Sequence, residues 1–256
     1  MTEHTKKQKN YILIEDGHLY YERYGSGFPI ILFHGNGESH HNLMPYAKRL
    51  RKEGFQVILM DSRGHGRSEL NLHAFRKKMS AKDMAKDTYL LMKKLNLKKA
   101  VLVGFSDGAN TALQFASDYP AFTQKVVAIS PNAMPEGLHY PVRLWANFAY
   151  NLDNFICKHL YFRGKLDGLF GRYLQKRRFY YSLLLYSPHL TQNKLKEILC
   201  PVLIMAGTRD LIKKEHIRWI SRQIPKCCLV FIEGAMHLDF YKRMEWYYPF
   251  IRRFIR

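Results

Sequence analysis

Three residues that could support nucleophilic catalysis each follow an apolar run in this sequence. Ser106 lies in GFSDG, Asp210 in GTRD and His237 in GAMH. A serine hydroxyl is a weak nucleophile at neutral pH, whereas a nearby histidine can take its proton and later return it to a leaving group. A buried carboxylate would orient the imidazole and stabilise its protonated form. These residue types therefore predict acyl transfer at Ser106, provided that the fold brings the three segments together.

The segment VLVGFSDGANTAL, residues 101–113, offers two interpretations of Ser106. A G-x-S-x-G pattern alone is weak evidence, because a buried serine in a tight turn would produce it too. Here the pattern follows β-branched residues and precedes a helical pattern over 109–119. Glycines on both sides of a serine at a sharp strand-to-helix turn are typical of a nucleophile elbow, since the turn leaves no room for larger side chains.

The elements that must position these residues alternate between strands and helices. A hairpin is predicted around the turn pair Asp16-Gly17. Further strands are predicted at 29–35, 56–61, 100–104, 125–130, 201–207 and 227–233, and helices at 42–53, 81–95, 109–119, 215–223 and 239–254. Short apolar strands separated by helices indicate an α/β fold, with a mainly parallel sheet covered on both faces. Ligands bind at the carboxyl ends of such strands, which is where the candidate residues lie.

Taken jointly, the motifs resemble those of the α/β-hydrolase superfamily over nearly the whole chain. The motifs are HGNG at 34–37, DSRGHGRS at 61–68, GFSDG at 104–108, GTRD at 207–210 and GAMH at 234–237. The resemblance implies one domain over 1–256, with an eight-stranded, mostly parallel sheet and a helical cap inserted after the sixth strand. The alternation of strands and helices fails at about 132–197, which is where that cap is expected.

The same resemblance implies the residues of the site. Ser106, Asp210 and His237 would form a catalytic triad, and the backbone N–H groups of Asn36 and Asp107 would bind the oxyanion of a tetrahedral intermediate. Neither a cofactor nor a metal is expected. The resemblance thus implies a serine hydrolase that acts through an acyl-enzyme.

Two alternatives within the family bear on these assignments. Some relatives place the acid after the sixth strand, where this chain has Asn132, and this favours Asp210 as the acid. Haloalkane dehalogenases also have an asparagine where this chain has Asn36, but their nucleophile is an aspartate at the position of Ser106, so dehalogenation is disfavoured. Asp239 is expected to open a helix, where a carboxylate is favourable.

Several polar residues near the motifs receive structural interpretations. We expect His34 to shape its loop rather than carry protons, and His40 and His41 to lie at the surface where a helix begins. In DSRGHGRS the glycines permit a tight loop, and Asp61 and Arg63 are expected to pair or cap locally.

The side chain of Asp107 is the one feature that points to a substrate class. The oxyanion site needs only its backbone N–H, so the carboxylate beside the nucleophile could attract a substrate cation such as an α-amino group. It could equally turn away into a surface hydrogen bond.

The expected cap is basic and aromatic. Between 143 and 196 it has ten Lys and Arg against two acids, Asp153 and Asp167. Its interleaved aromatic residues are Trp145, Phe148, Phe155, Tyr161, Phe162, Phe179 and Tyr180. We expect these aromatics on the inner face of a lid over an apolar acyl pocket, with the charges outside. A basic amphipathic stretch could instead make weak contact with an anionic membrane or steer anionic substrates.

The large positive charge of the chain does not by itself identify a partner. The chain has 41 Lys and Arg against 21 Asp and Glu, a formal charge of +20, with basic clusters at 6–9, 76–78, 176–178 and 252–256. Such charge attracts anionic partners generally, but no helix-turn-helix, zinc-finger or RNA-binding signature accompanies it, so no specific nucleic acid is expected. The oligomeric state stays open.

Composition favours a cytoplasmic enzyme. No apolar stretch approaches a membrane span, the N-terminus lacks a signal-peptide core, and the four cysteines lack metal-finger spacing and are expected to be reduced core or near-core thiols. The leading hypothesis is cleavage of a small carboxylic ester, with thioester, amide or lactone as variants. The alternatives are a carbon-carbon bond hydrolase with the same triad and a non-catalytic binding module of the same fold.

Overall fold

The computed structural model describes residues 10–71, 74–76, 79–165 and 168–256. The predicted basic cluster at 6–9 lies outside the described residues, as do Asp167 and most of the cluster at 76–78.

A single mixed sheet forms the centre of the protein. Its strands follow the order β1-β2-β4-β3-β6-β7-β8-β9, and β5 pairs with β2 outside this path. The strands are β1 Asn10–Ile14, β2 Gly17–Tyr24, β3 Pro29–Phe33, β4 Gln56–Met60, β5 Glu69–Leu70, β6 Ala100–Phe105, β7 Thr123–Ile129, β8 Val202–Arg209 and β9 Cys227–Met236. The three pairs that involve β2, with β1, β4 and β5, are antiparallel. The remaining pairs, β4–β3, β3–β6, β6–β7, β7–β8 and β8–β9, are parallel. The mainly parallel sheet is confirmed, and the eight predicted strands are joined by a ninth, two-residue strand, β5, among the described residues.

Helices cover both faces of this sheet. They are α1 His40–Lys52, α2 Ala81–Lys94, α3 Asp107–Asp118, α4 Tyr140–Phe162, α5 Leu169–Tyr186, α6 Gln192–Lys196, α7 Lys214–Gln223, α8 Asp239–Lys242 and α9 Met244–Ile255. The closing helix predicted at 239–254 is wrong in one respect, because Arg243 leaves the helical conformation (φ −130°, ψ 59°) and divides it into α8 and α9.

The alternation of side chains along each strand builds two cores. Ile31 and Phe33 of β3 point to a core that α2, α3 and α7 complete, while Ile30 and Leu32 point to a core completed by α1 and α9. Burial on both faces explains why the strands are apolar without interruption. The rigid central strands therefore fix the positions of the loops at their carboxyl ends.

Between β7 and β8, where the cap is predicted, the described residues form helices α4, α5 and α6 and no strand. None of the helices in the described ranges is long and apolar enough to cross a membrane. The four cysteines are free: Cys157 is buried, Cys200 and Cys227 are half-buried, and Cys228 is exposed. The expectation of core or near-core thiols is wrong for Cys228, because it lies on β9 at the edge of the sheet.

Candidate active site

Ser106 lies on a strained turn between β6 and α3. Its backbone has a φ of 54° and a ψ of −118°, a region that a side chain normally avoids. A Cβ atom added to Gly104 would overlap the carbonyl of Gly108, and one added to Gly108 would overlap the carbonyls of Phe33 and His34. The two flanking glycines are therefore required by the close approach of β3, β6 and α3, as the elbow interpretation predicts.

His237 connects Ser106 to Asp210. Its Nε2 lies 3.1 Å from the Ser106 Oγ, and its Nδ1 lies 2.6 Å from the Asp210 Oδ1. Ser106 follows β6, Asp210 follows β8, and His237 follows β9, so parallel strands deliver all three side chains to one edge of the sheet. With Nδ1–H donated to Asp210, Nε2 is left to accept the proton of the serine.

Asp210 is held as a buried acceptor. Its Oδ2 accepts the Ser130 hydroxyl at 2.6 Å, and its Oδ1 accepts the N–H of Ile212 at 3.1 Å. Burial favours the neutral carboxyl, but the hydrogen bonds from His237, Ser130 and Ile212 and the attraction of His237 outweigh it and lower the pKa of Asp210. The carboxylate can therefore stabilise a positive charge on the imidazole.

Ser130 is a residue that sequence reasoning missed. It directly follows β7, near the point where some relatives place their acid, and it instead supports Asp210 from that side. Asn132, which the sequence marked near this point, turns away: its backbone N–H donates to the Asn110 Oδ1 at 2.8 Å, and the Asn110 Nδ2 donates to its Oδ1 at 2.6 Å.

The HGNG loop borders the same site. The Gly35 N–H donates to Glu38 Oε2 at 2.9 Å, and the Asn36 Nδ2 donates to the Tyr180 carbonyl at 2.8 Å, so both central residues of the loop are held in place. Asn36 lines the same cavity as Ser106, and Asp107 supplies the first amide of α3, which has no partner within the helix. The two expected oxyanion donors thus flank the serine from different elements.

The loop also contains a fully satisfied histidine. The His34 Nδ1–H donates to the Gly35 carbonyl at 2.7 Å, and its Nε2 accepts the Ser62 N–H at 3.0 Å. Burial lowers the pKa of His34, which keeps the ring neutral. This arrangement is that of a loop-shaping residue, as expected.

One interpretation of the neighbouring polar residues is wrong, and another holds only in part. His40 is buried rather than at the surface, because its Nδ1 lies 2.8 Å from the Asp61 Oδ2, while His41 is exposed. Asp61 does not pair with Arg63, which reaches Asp87 on α2 with bonds of 2.7 and 2.6 Å, but Asp61 does cap locally, since it accepts the backbone N–H groups of His40 at 2.7 Å and Arg67 at 2.8 Å. Asp61 therefore holds the start of α1 to the motif loop.

The Asp107 carboxylate is the least satisfied polar group at the site. Its Oδ1 accepts the Asn110 Nδ2 at 3.2 Å, whereas its Oδ2 is buried and has no hydrogen-bond partner among the described residues. Burial raises the pKa of Asp107 to about 6, against the lowering effects of Asn110 and His237. The side chain is not among those that line the cavity, and it does not turn outward into a surface hydrogen bond either.

A cavity of about 290 Å³ opens over Ser106 and His237. Its apolar wall consists of Phe105, Tyr180, Tyr181, Leu184, Leu211 and Leu238. Arg177 also lines it, but its Nε donates to the Asp153 Oδ2 at 2.8 Å and its guanidinium forms a second bond to the same carboxylate. The cation is thus already neutralised.

Glu38 lines the cavity as well and was missed by sequence reasoning. It accepts hydrogen bonds from Gly35 and from the Tyr241 hydroxyl, and burial raises its pKa. No local pattern marks it, because Tyr241 is 203 residues away. Among the described residues, no group of three or more His, Cys, Asp or Glu side chains could hold a metal ion.

The cap aromatics are arranged differently from the expectation. Phe179 is buried and Tyr180 lines the cavity, but Trp145, Phe148, Phe155, Tyr161 and Phe162 are all more than half exposed. The prediction of an aromatic inner face is therefore wrong for most of these residues. Small side chains, Ala146 and Ala149, occupy the inner face of α4 instead.

Comparisons with known proteins agree with this geometry. Residues 29–160 match the family model described as the alpha/beta hydrolase fold. The Homo sapiens protein named serine hydrolase BPHL is 30% identical over 223 residues, which cover 80% of this chain and 72% of that protein. A thermophilic esterase from Thermogutta terrifontis has a TM-score of 0.76 at 24% identity, covering 97% of this chain and 98% of that one. An esterase from Exiguobacterium antarcticum has a TM-score of 0.78 at 20% identity, covering 97% and 99%.

Proposed function

Since the chain belongs to the α/β-hydrolase family, as its motifs predicted, we propose that it is a serine hydrolase that cleaves small carboxylic esters through an acyl-enzyme. The observation that carries the proposal is the position of His237, whose two ring nitrogens contact the Ser106 hydroxyl and the Asp210 carboxylate. Relatives named serine hydrolase and esterase support the same reaction class.

In the proposed first step, the His237 Nε2 removes the Ser106 proton while the Oγ attacks the ester carbonyl carbon. The carbonyl oxygen becomes an oxyanion, and the backbone N–H groups of Asn36 and Asp107 stabilise it. Collapse of this intermediate expels the alcohol, which takes the proton from the imidazolium. Loss of one such donor typically costs about 2.7–4 kcal/mol of transition-state stabilisation.

Water then attacks the acyl-enzyme by the same route. His237 takes a proton from the water, a second oxyanion forms at the same donors, and the Ser106 Oγ leaves with that proton. Asp210 keeps Nδ1 protonated throughout and stabilises the imidazolium in both steps. Besides the ester and the water, these side chains and the two backbone donors supply every group in the proposed reaction.

Within this function, we infer that Asp107 favours substrates that carry a cation near the carbonyl, such as amino-acid esters. The Asp107 Oδ2 has no donor among the described residues but is buried and does not line the cavity, so the inference requires the side chain to rotate toward Ser106, where a substrate ammonium group would supply the missing donor. Asp107→Asn should weaken turnover of amino-acid esters and spare neutral esters of the same size. Equal losses for both ester types would contradict the assignment.

The alternative of carbon-carbon bond hydrolysis is less well supported. Its diketone-like acid substrates would need a free cation near the serine to bind their carboxylate. Arg177 is the cationic side chain among those that line the cavity, and Asp153 already occupies its guanidinium.

Labelling by a fluorophosphonate probe tests the proposed nucleophile. The folded wild type should be labelled, and Ser106→Ala should not. Ser117→Ala is the matched control, because Ser117 is a buried serine on α3 that contacts Glu197 and does not line the cavity. Failure of the folded wild type to react would favour a non-catalytic binding module, and a panel of p-nitrophenyl esters of increasing acyl length would then define the substrate range of a labelled enzyme.

A further inference from the structure

The outer surface of α4 and the start of α5 form an apolar patch in contact with solvent. We define this aromatic face by its members, Tyr140, Leu144, Trp145, Phe148, Leu152, Phe155, Phe162, Leu169 and Phe170. Their exposed fractions run from 43% for Leu152 to 90% for Leu169. More than half of the exposed large apolar side chains in the described chain lie between 140 and 186.

The spacing of residues along α4 accounts for this exposure. Ala146, Ala149, Asp153 and Cys157 are the buried residues of the helix and lie three or four apart, so they define its inner side. Phe148 and Phe155 are seven apart and lie on the opposite side, two turns from each other. A helix packed on one side usually presents polar residues to water there. The aromatic face is therefore apolar where packing within the chain does not require it.

Such a face indicates a partner. Single exposed apolar residues are normal, but contiguous ones mark surfaces that bind proteins, ligands or membranes. The apolar outer surface of a helix that is packed on its other side can be buried by a second copy of the chain, by another protein or by lipid. The charges around the face discriminate among these partners.

The surroundings of the aromatic face are strongly basic. Residues 140–186 contain eight Lys and Arg and two acids, Asp153 and Asp167, a surplus of six positive charges. Of these acids, Asp153 is fully buried and paired with Arg177. Lys158, Arg163 and Lys165 are exposed beside Phe162 and Phe155. Although Arg143 pairs with Glu136 and Arg177 with Asp153, the surface combines aromatic side chains with a surplus of positive charge.

We propose that the aromatic face docks the protein onto an anionic lipid surface, with α4 lying in the plane of the interface. Aromatic side chains would enter the boundary between headgroups and acyl chains, and the flanking Lys and Arg would contact lipid phosphates. A second copy fits less well, because the same basic surface on a chain of formal charge +20 would meet itself. The inference does not depend on the reaction at Ser106.

The docked face borders the candidate active site. The Trp145 ring packs edge-on against Tyr181 at 5.3 Å between centroids, and Tyr181 lines the cavity over Ser106. Leu211 and Leu238, at the cavity, are also exposed. Binding through the aromatic face would thus bring the cavity close to the lipid surface.

Co-sedimentation of the full chain with vesicles tests the proposal. Vesicles of phosphatidylcholine mixed with phosphatidylglycerol should bind the protein, and vesicles of phosphatidylcholine alone should bind it less. Binding to the anionic vesicles should weaken as salt is raised, because screening reduces the electrostatic part. A residual part that resists salt is expected from the aromatic side chains.

Two sets of variants distinguish binding through the aromatic face from nonspecific binding through exposed apolar or basic residues elsewhere. Phe148→Ser with Phe155→Ser should lower the partition coefficient by at least about tenfold, since two exposed rings lose their transfer into lipid. The control is Leu13→Ser with Leu199→Ser, which removes apolar side chains that are 87% and 62% exposed at sites outside the face. This control should bind as the wild type does.

The second set compares two triple variants that have the same net charge but carry their reversed charges at different places. Lys158→Glu, Arg163→Glu and Lys165→Glu together should weaken binding by on the order of 100-fold or more, because each basic residue near an anionic surface contributes roughly fivefold. The control reverses three exposed lysines elsewhere, Lys93, Lys98 and Lys99. Equal losses in the two triple variants would mean that only the total charge matters and would overturn the docking surface.

Emission from Trp145 gives an independent readout. In a chain with Trp219→Phe and Trp246→Phe, Trp145 is the remaining tryptophan, and its emission should shift to shorter wavelength on anionic vesicles. Circular dichroism of each variant verifies that it is folded. No shift, no binding by the folded wild type, or light scattering that shows a dimer dissolved by Phe148→Ser would each overturn the proposal, the last in favour of a second copy.

Discussion

Replacing Asp107 by asparagine should make the protein more stable above pH 6. In the folded state the Asp107 Oδ2 is buried without a donor, and burial raises the pKa of this carboxyl to about 6 from 3.8. An unfolded chain would solvate the carboxylate fully. The ionised group therefore costs stability wherever the folded protein must carry it as a charge.

The magnitude follows from proton linkage. A difference of about two pKa units corresponds to about 3 kcal/mol at about 1.4 kcal/mol per unit. Asp107 is only partly enclosed, and the new amide keeps an unpaired N–H, so we expect a gain of about 1–2 kcal/mol. Since the folded pKa lies above the unfolded one, the penalty is complete above pH 6 and disappears as the pH falls toward 3.8.

Urea unfolding followed by tryptophan fluorescence measures this gain. The free energy of unfolding of Asp107→Asn and of wild type should differ most near pH 8, and the difference should fall to about a third of that size near pH 4.5. Glu215→Gln is the control, because the Glu215 side chain is 80% exposed on α7 and its neutralisation should change little at either pH. A gain of equal size at both pH values, or no gain near pH 8, would refute the argument that an unpaired buried charge is responsible.

Two further predictions concern buried ion pairs. Asp210→Asn should lower kcat for a p-nitrophenyl ester by on the order of 10⁴-fold in a folded protein, because an amide N–H facing Nδ1 would favour the His237 tautomer that carries its proton on Nε2 and cannot accept the serine proton. A loss below tenfold would argue against Asp210 as the acid. Arg63→Met should lower the free energy of unfolding in urea by about 3–5 kcal/mol, since it leaves the buried Asp87 without its partner, and adding Asp87→Leu should restore most of the loss. An Arg63→Met variant as stable as the double variant would contradict the second prediction.

The features that the sequence predicted well are those fixed locally. The elbow needs a strand, a turn and a helix in succession, and the steric demands on Gly104 and Gly108 arise from elements whose apolar patterns are clear. Buried parallel strands have uninterrupted apolar runs, so the strands along the chain and the edge where Ser106, Asp210 and His237 meet could also be inferred. Their catalytic roles remain our proposal.

The features that the sequence could not provide depend on contacts between distant segments. Glu38 meets Tyr241 across 203 residues, and Ser130 meets Asp210 across 80. His40 was predicted at the surface because a histidine at a helix start is normally solvated, yet Asp61 encloses it. A polar residue is easily placed on an element, but its burial depends on which side chain from elsewhere can satisfy its hydrogen bonds.

The segment predicted as a cap shows how an apolar pattern can be interpreted wrongly even when its helical character is predicted correctly. Helix periodicity identifies apolar positions, but it does not say which side packs inward. In α4 the inner side carries Ala146 and Ala149, which allow close approach, and the Asp153–Arg177 ion pair, which joins it to α5. The large aromatic rings of α4 lie on its solvent side, because small residues and one ion pair already fill the contact between α4 and α5. Large apolar side chains excluded from a tight helix pair must meet water or a partner, and the basic residues around them favour an anionic lipid surface as that partner.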